Sequence, residues 1–301
     1  MNACNIEDIL NINKIDAELE SDADFKDLCT FKVGGKIKVL VSPKDVKSFT
    51  KLISVFNKKK INYFILGGGS NIVPPEKDFK KIVLSTKKLN KITYDGEKLI
   101  CGSGAKIDEI IQYCKDNSLT GMENFCGLPG TIGGAVYMNA RCYDKSISDI
   151  LLEVKYVQND TVQIYKKNKD DWDYKVSPFQ KNKKCIVEVF FEVKKGHKKE
   201  IIANCENFFL DRYEKGHFKF PSAGSVFKNN RNYGKPSGKI IDEAGLCGKI
   251  IGGAQIAPWH GNFIINTGKA TADDIKKLVN YVKMHVKKQT GFKLDCEIIF
   301  L

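Results

Sequence analysis

Three clusters of glycine in the first 200 residues restrict the folds that this chain can adopt. They lie at residues 67–71 (GGGSN), 101–104 (CGSG) and 127–135 (GLPGTIGGA). Glycine adopts positive φ and lets backbone N–H groups approach a ligand closely, so successive N–H groups in such turns form concave anion sites. Three such turns in one domain favour a diphosphate ligand, with tight turns between strands as the structural alternative.

None of the three clusters is a Rossmann fingerprint or a P-loop. Ile72 stands where the third glycine of the fingerprint belongs, and Pro74 and Pro75 follow where a helix should begin. No Gly-Lys pair has the upstream glycine that a P-loop requires. The sequence therefore predicts a phosphate-binding turn of another kind.

Length and charge limit the classes of function. A chain of 301 residues suits two or three domains. The formal net charge is +13, but only three of the 49 basic side chains are arginine, the residue that nucleic-acid readers favour for bidentate contacts. We favour a general lysine bias, with a basic nucleic-acid-binding module as an alternative of a different class.

The cysteines and apolar runs point to a cytoplasmic protein. Ten cysteines without a CxxC spacing argue against a zinc site and a disulfide framework, so we expect reduced, mostly buried thiols and no metal. No apolar run reaches the length of a membrane span, and the acidic N-terminus argues against a secretory signal. We expect neither a membrane nor a nucleic acid as partner.

The alternation of apolar and polar residues predicts mixed strands and helices, which is typical of an α+β fold. Residues 42–45 (SPKD) predict a helix start with Ser42 as the N-cap. A last helix is predicted from Thr271, where Asp274 completes a capping box, to Gly291. Strands are predicted at residues 36–41, 61–66, 81–84, 98–101, 151–157, 161–165, 185–193 and 294–301, and further helices at 107–114 and 201–213.

The polar stretch 194–199 (KKGHKK) predicts a domain boundary. It divides the chain into an N-terminal lead-in at residues 1–28, a first domain at 29–196 and a C-terminal domain at 197–301. His197 is the first histidine, so the domain before it contains none.

An ordered set of motifs resembles the UDP-N-acetylenolpyruvoylglucosamine reductase (MurB) family in its shorter, type II form. Residues 65–73 resemble the pyrophosphate loop of FAD-binding domains of the p-cresol methylhydroxylase (PCMH) type, and residues 30–35 the start of such a domain. Residues 127–139 are similar to the flavin-contacting segment of the family, and residues 222–229 to its most specific motif. Residues 244–249, 252–254, 260–266, 270–274 and 294–297 follow in the order of the family.

The resemblance implies a two-part PCMH-type FAD-binding domain followed by a smaller α+β substrate-binding domain. It implies non-covalent FAD, NADPH as the reductant, and a monomer that reduces UDP-GlcNAc-enolpyruvate to UDP-N-acetylmuramate in peptidoglycan synthesis. The alternative is another PCMH-type FAD oxidoreductase that acts on a small alcohol or hydroxy acid. The residues implied to bind FAD are Thr30, Gly34, Gly67, Gly68, Gly69, Ser70, Asn71, Gly102, Gly104, Gly127, Pro129, Gly130, Thr131, Gly133, Gly134 and Ala135.

The resemblance also implies three catalytic residues. Ser225 would give a proton to carbon, and Glu297 would polarise the enolate system, because hydride addition leaves negative charge that needs donors in a dry site. Lys175 stands where the family has arginine after tyrosine, and lysine supplies a point charge but no planar fork. A loop serine with a local turn bond and a solvated carboxylate are the structural alternatives.

Six further residues are implied to contact the substrate. Tyr143, Lys228, Asn229 and His260 would lie near the sugar nucleotide, and Arg212 and Lys215 would meet its diphosphate. An exposed helix face is the structural alternative for the last two. Departures from the family at residues 139–144 (NARCYD), at Asn230 and at residues 298–301 affect fine substrate contacts more than the fold.

Overall fold

The computed structural model describes residues 3–77, 79–182 and 184–301, which form two compact units. The first unit comprises Met1–Ala23, Ile37–Gly68 and Lys80–Leu210, and the second Asp24–Lys36, Gly69–Phe79 and Asp211–Leu301. The predicted domain ranges 1–28, 29–196 and 197–301 stay a prediction. The contact units differ from those ranges because two early segments pack with the C-terminal residues, which local composition does not reveal.

Eight helices and nineteen strands occur in the described residues. The helices are α1 (Ala3–Ile12), α2 (Phe25–Leu28), α3 (Val46–Lys58), α4 (Ile107–Asp116), α5 (Ile132–Tyr137), α6 (Lys198–Glu214), α7 (Ser237–Glu243) and α8 (Ala272–Thr290). The strands are β1 (Ala17–Asp24), β2 (Lys36–Pro43), β3 (Tyr63–Leu66), β4 (Ile72–Val73), β5 (Ile82–Ser85), β6 (Ile92–Tyr94), β7 (Lys98–Gly102), β8 (Leu119–Thr120), β9 (Arg141–Cys142), β10 (Lys145–Ser146), β11 (Leu151–Gln158), β12 (Thr161–Lys166), β13 (Cys185–Glu192), β14 (Lys194–Lys195), β15 (Ser222–Ser225), β16 (Ile250–Ile251), β17 (Ala254–Ile256), β18 (Phe263–Asn266) and β19 (Ile299–Phe300).

A four-stranded sheet of order β1-β2-β5-β3 forms one part of the first unit. β2 and β3 both run parallel to β5, so that Val83 lies opposite Leu40 on one side and Phe64 on the other. α3 places Phe49 in the core cluster of this sheet, because its apolar residues repeat at helical spacing. α1 adds Ile6 to the same cluster, so the stretch predicted as a lead-in contributes to the core.

α3 begins one turn later than the sequence predicted. Its N-cap is Asp45, whose carboxylate accepts a hydrogen bond from the backbone N–H of Ser48 at 2.7 Å. Ser42 lies in β2, which continues to Pro43, so the prediction of Ser42 as the cap was wrong. The strand pairing extends β2 beyond the residues that alternate in the sequence, and the next capping residue along the chain starts the helix.

A five-stranded sheet of order β12-β11-β13-β7-β6 forms the other part of the first unit, and all of its strand pairs are antiparallel. Val189 of β13 lies opposite Val154 on one side and Cys101 on the other. α4 and α5 contribute Ile110 and Val136 to the buried cluster of this sheet. The antiparallel strands predicted in residues 151–193 are confirmed.

The second unit contains a four-stranded sheet of order β15-β18-β17-β16, on which α8 packs. The predicted capping box of α8 is confirmed, since the side chains of Thr271 and Asp274 each accept a bond from the backbone N–H of the other at 3.1 Å. The predicted final strand is shorter than expected, with only β19 regular. Residues 294–298 make single backbone bonds to residues 226 and 228 instead of a continuous ladder.

None of the ten cysteines forms a disulfide bond, and seven of them are buried, which confirms the prediction of mostly buried thiols. Across residues 3–77, 79–182 and 184–301, no helix combines the length and apolar character that crossing a membrane requires.

Candidate functional site

The first and third glycine clusters meet at residues 67–68 and 130–131 of the first unit. A Cβ atom added to Gly68 would lie 2.5 Å from Cα of Gly130, and one added to Gly67 would lie 2.6 Å from Oγ1 of Thr131. Contacts that close do not occur between real Cβ atoms and their neighbours. Glycine is therefore needed at both positions for the two turns to touch.

The second cluster packs on the third and on the chain that follows β5. A Cβ atom on Gly133 would lie 2.7 Å from Cβ of Ser103, and a Cβ atom on Gly102 or Gly104 would overlap the carbonyl oxygen of Leu89 or Thr86. The three clusters predicted as ligand-binding turns thus lie together, and at these positions the close neighbours are the protein's own atoms. These contacts show the tight turns, and ligand binding by the same turns stays a prediction.

The rest of the third cluster forms the loop before α5 and its first turn. Gly127 and Gly130 have positive φ, and the carbonyl oxygen of Gly130 accepts a bond from the N–H of Ile107 at 3.2 Å. Pro129 lies between them, and Ala135 is buried in α5. A Cβ atom on Gly134 would make only one contact, at 3.6 Å from Oγ1 of Thr131, so the space beside this glycine is open.

Two buried hydroxyl groups, one in the second cluster and one in the third, have no hydrogen-bond partner among the described residues. Among the described residues, no group hydrogen-bonds Oγ of Ser103 or Oγ1 of Thr131. A buried hydroxyl without a partner costs about 1–3 kcal/mol, so such groups usually have a partner when the protein is active. A phosphate oxygen of a dinucleotide would satisfy them, and the glycine turns provide N–H groups beside them. The residues therefore fit an FAD diphosphate.

Thr30, Gly34 and Gly69, which the sequence also predicted to bind flavin, lie in the second unit. The N–H of Thr30 donates to the carbonyl oxygen of Gly69 at 3.2 Å, and Oγ1 of Thr30 is a further buried hydroxyl without a partner in the described chain. Gly69 has φ +63 and leaves no room for a Cβ atom beside the carbonyl oxygen of Leu28. Gly34 has φ +100, and a Cβ atom there would lie 2.7 Å from Cγ of Pro74.

Asn71, the last residue of the first cluster, connects this loop to the predicted catalytic acid. Its Nδ2 donates to the backbone oxygen of Glu297 at 3.0 Å, and its own carbonyl oxygen accepts from the N–H of Ile299 at 2.9 Å. Ser70, beside it, is half-buried. Asn71 therefore holds the segment that carries Glu297 just before β19.

Ser225, the last residue of β15, and Glu297, which precedes β19, lie in neighbouring segments of the second unit. Ser225 ends β15 opposite Phe263, and the N–H of Glu297 donates to the carbonyl oxygen of Val226 at 2.8 Å. Both residues are half-buried, which leaves part of each surface accessible. The structure thus brings close together the backbones of two predicted catalytic residues that 72 positions separate in the sequence.

Asn262 organises the same strands, and the sequence analysis did not single it out. It is buried at 3% exposure, its Oδ1 accepts from the N–H of Phe227 at 2.8 Å, and its Nδ2 donates to the oxygen of Phe227 at 2.8 Å. Its backbone oxygen accepts from the N–H of Val226 at 2.9 Å. An asparagine between apolar residues in HGNFIIN was the signal that could have identified it.

Lys228 and Asn229 follow Ser225 and support α7. Oδ1 of Asn229 accepts from the N–H of Ser237 at 2.9 Å, and the carbonyl oxygen of Lys228 accepts from Oγ of Ser237 at 2.7 Å. Asn229 thus has a structural role at the start of this helix beside the substrate role that the sequence implied.

Arg212, Lys215 and His260 lie around a second histidine, His217. Arg212 is buried at 7% exposure, so the alternative that it lies on an exposed helix face is wrong. The side chain of Lys215 is 57% exposed and pairs with Asp211 at 2.7 Å. Nη1 of Arg212 donates to Nδ1 of His217 at 3.5 Å, and the rings of His217 and His260 are 6.3 Å apart.

The two imidazoles of this group are neutral at pH 7. Burial, followed by the positive charge of Arg212, lowers the pKa of His217 to about 4. Burial also lowers the pKa of His260, whose Nδ1 accepts from the N–H of Asn262 at 3.2 Å. The positive charge offered to an anion here therefore comes from Arg212 and Lys215.

Lys175 and Tyr143 belong to the first unit. Lys175 is half-buried, has φ +59 and lies in a tight turn, with Nζ 5.8 Å from the ring centroid of Tyr174. Tyr143 packs on Phe208 with ring centroids 4.5 Å apart and donates from its hydroxyl to the backbone oxygen of Phe208 at 3.1 Å. Among the residues that can be described, no group of three or more His, Cys, Asp or Glu side chains could hold a metal ion.

Comparison with known proteins gives matches along nearly the whole chain. Residues 37–164 match the FAD binding domain family, and residues 216–301 match the family "UDP-N-acetylenolpyruvoylglucosamine reductase, C-terminal domain". The UDP-N-acetylenolpyruvoylglucosamine reductase of Treponema denticola is 46% identical over 293 residues, which cover 91% of each chain. That of Borreliella burgdorferi is 41% identical, covering 90% of this chain and 91% of the relative.

Solved structures give the same result. The crystal structure of UDP-N-acetylenolpyruvylglucosamine reductase (MurB) from Thermus caldophilus matches with a TM-score of 0.78 and 28% identity, covering 95% of this chain and 99% of that one. A berberine bridge enzyme matches 66% of this chain and 45% of its own with a TM-score of 0.51 and 16% identity, which is a similarity of fold alone. The α+β architecture with a PCMH-type FAD-binding domain and a separate C-terminal domain is thereby confirmed.

Proposed function

The chain belongs to the UDP-N-acetylenolpyruvoylglucosamine reductase family, and we infer from this membership that it is an FAD-dependent oxidoreductase of peptidoglycan synthesis. It reduces the enolpyruvyl group of UDP-GlcNAc-enolpyruvate to UDP-N-acetylmuramate, with NADPH as the reductant. The observation that carries this conclusion is the 46% identity over 91% of both chains. The alternative, oxidation of an alcohol or hydroxy acid, has no comparable support.

The glycine turns and the buried hydroxyls support the assignment of FAD. When bound, FAD supplies the hydride for the reduction after taking it from NADPH. We propose that Ser103 and Thr131 of the first unit hold its diphosphate, because their oxygens are buried without a hydrogen-bond partner among the described residues and lie beside the glycine turns. The buried Oγ1 of Thr30 supports the FAD contact that the sequence implied for this residue of the second unit. Ser103 was not among the cofactor residues that the sequence implied.

We propose that Ser225 delivers the proton and Glu297 stabilises the charge that develops on the substrate. Addition of hydride to the double bond places negative charge beside the substrate carboxylate, and donors at that point lower the barrier. The bond from Glu297 N–H to Val226 oxygen places the backbones of the two residues side by side. Half-burial of both residues leaves them able to contact a substrate while limiting the surrounding water.

We propose that Lys175 supplies the positive charge that the family obtains from arginine. An ammonium group gives one compact charge without the planar fork of a guanidinium. Lys175 has positive φ in a tight turn, which restricts the backbone from which its long side chain extends.

Arg212 and Lys215 are proposed to bind the diphosphate of the sugar nucleotide, and His260, Lys228 and Asn229 of the same unit to contact the same ligand. Tyr143 of the first unit stays a predicted substrate contact. The cluster of two cations with two neutral imidazoles supports an anionic ligand at this place in the second unit. Because Arg212 is buried, its charge is less screened than that of a surface arginine.

We also propose that the enzyme acts in the cytoplasm, where NADPH and nucleotide sugars are found, and that it is a monomer. Sedimentation velocity of the purified protein with and without UDP-GlcNAc-enolpyruvate tests the oligomeric state, and a stable dimer would contradict it.

One experiment tests the function. The purified protein should show an oxidised flavin spectrum that NADPH bleaches, and UDP-GlcNAc-enolpyruvate added without oxygen should restore it. A Ser225→Ala variant should still be bleached by NADPH but recover far more slowly. Recovery with no enolpyruvyl nucleotide present, or bleaching of the oxidised protein by simple alcohols, would favour the alternative oxidoreductase.

A further inference from the structure

The backbone that carries Lys175 forms a two-residue turn between Asp173 and Val176. The N–H of Val176 donates to the oxygen of Asp173 at 3.0 Å, and the N–H of Asp173 donates back to Val176 at 3.4 Å. The N–H of Tyr174 donates to Oδ1 of Asp173 at 2.6 Å. The turn has a defined conformation, but its own bonds do not determine where it points.

The C-terminal side of this turn is attached to the end of α5. Oγ of Ser177 and Nε2 of Gln180 both donate to the carbonyl oxygen of Tyr137, at 2.7 and 2.9 Å. Nε2 of Gln180 also donates to the oxygen of Lys175 at 3.1 Å. Residues 177–180 are therefore connected to the segment 127–139, which is similar to the flavin-contacting segment of the family.

Asn139 holds the other side of the turn. Its Nδ2 donates to the oxygen of Asp173 at 2.8 Å, and its Oδ1 accepts from the N–H of Ser148 at 3.3 Å. The residue is 3% exposed and has φ +42, a conformation that asparagine tolerates better than most residues. Its side chain thus joins the end of α5, the chain before β11 and the Lys175 turn.

From these contacts we propose that Asn139 is a positioning residue for Lys175. The amide orients the Asp173–Val176 turn relative to α5, so that the lysine cation keeps a constant position beside the predicted flavin segment. This inference rests on the proposed catalytic role of Lys175, and it adds a residue that none of the site assignments above includes.

The chemistry of lysine explains why such support matters. A flexible four-carbon stem holds the ammonium group, whereas the guanidinium of arginine is pre-organised by its planar fork. If the backbone turn also moved, its displacement of the ammonium group would add to that of the flexible side chain. Misplacement of a catalytic group by about 1 Å can lower a rate about 100-fold.

Two variants of Asn139 test the proposal. Asn139→Asp keeps an oxygen for the N–H of Ser148 and the tolerance of positive φ, but it loses the donor to Asp173. Asn139→Gly keeps the backbone conformation and removes both side-chain bonds without adding a charge. Asn159→Gly, at φ +49 in the turn between β11 and β12, is the matched control and should react like the wild type.

We expect both Asn139 variants to lower kcat about 10- to 100-fold, with the rate of flavin bleaching by NADPH and the FAD content within about twofold of wild type. Combined with Lys175→Met, Asn139→Gly should cause no further loss, because the group that it positions is gone. In hydrogen–deuterium exchange without substrate, the peptide that contains residues 173–180 should exchange faster in both variants, and peptides from β11 should not.

Each result decides a separate point. A normal kcat in Asn139→Asp, or unchanged exchange at residues 173–180, overturns the positioning role while leaving that of Lys175 intact. If Asn139→Gly lowers kcat as much in the Lys175→Met background as in the wild type, the positioning role is likewise overturned. A normal kcat in Lys175→Met refutes instead the proposed function of the lysine. If Asn139→Gly does not fold, the kcat of Asn139→Asp and its hydrogen–deuterium exchange at residues 173–180 decide whether Asn139 positions Lys175.

Discussion

His217 makes folding stability depend on pH in a direction that the structure specifies. The groups around its ring are Asp211 and Arg212 from α6, Lys215 directly after this helix, and His260 from the loop before β18. Burial and the nearby cations lower its pKa from 6.5 to about 4, with Asp211 acting in the opposite direction. We consider the substitution His217→Asn, whose side-chain oxygen can still accept a hydrogen bond from Arg212 but does not titrate in this range.

The direction in which stability changes with pH follows from proton binding. Between pH 6.5 and about 4 the unfolded chain holds more protons on this residue than the folded protein does, so stability is lost as the pH falls through that window. A shift of about 2.5 units corresponds to at most roughly 3.4 kcal/mol at about 1.36 kcal/mol per unit. The ring is only half-buried, and screening by solvent reduces this to about 1–2 kcal/mol.

The assay is urea unfolding of wild type and His217→Asn at about pH 7.5 and about pH 4.5, in the same salt. Carboxylates also lose stability on acidification, but they do so in both proteins, so the difference between the two isolates the histidine. We expect the wild type to lose about 1–2 kcal/mol more than the variant. An equal loss in both proteins, or a larger loss in the variant, would refute the neutral imidazole beside Arg212.

Four further outcomes are expected. Lys175→Met should lower turnover by about 10²–10³-fold, as for loss of an oxyanion donor, and wild-type turnover in steady-state assays would contradict its role. Gly68→Ala should lower the unfolding midpoint, since its methyl group would overlap Gly130, whereas Gly134→Ala should not; equal midpoints would exclude the tight contact. Thr271→Ala should cost about 1 kcal/mol in urea unfolding through loss of the α8 cap, and no change would show that the box is not needed. Denaturation followed by filtration should release all yellow colour, because the domain range 29–196 has no histidine to link FAD, and colour that stays with the chain would show a covalent flavin.

Much of the candidate site was accessible from sequence because its motifs are local. The glycine clusters require backbone conformations and close approaches that neighbouring residues specify, and the structure shows them packed on one another. The capping box of α8 is a local pattern of the same kind and was predicted correctly. Where two local signals competed, as at Ser42 and Asp45, sequence reasoning chose the wrong cap, because pairing in the sheet decides where β2 ends.

The sequence by itself determined the family, the fold class and the identity of the glycine turns, since these depend on residue types in a fixed order along the chain. Tertiary structure alone decided that Asn71 holds the segment of Glu297, that Val226, next to Ser225, bonds to Glu297, and that Arg212 is buried. Such contacts join positions far apart in sequence. They depend on which strands pair and which side chains are withdrawn from water, and no local pattern carries that information.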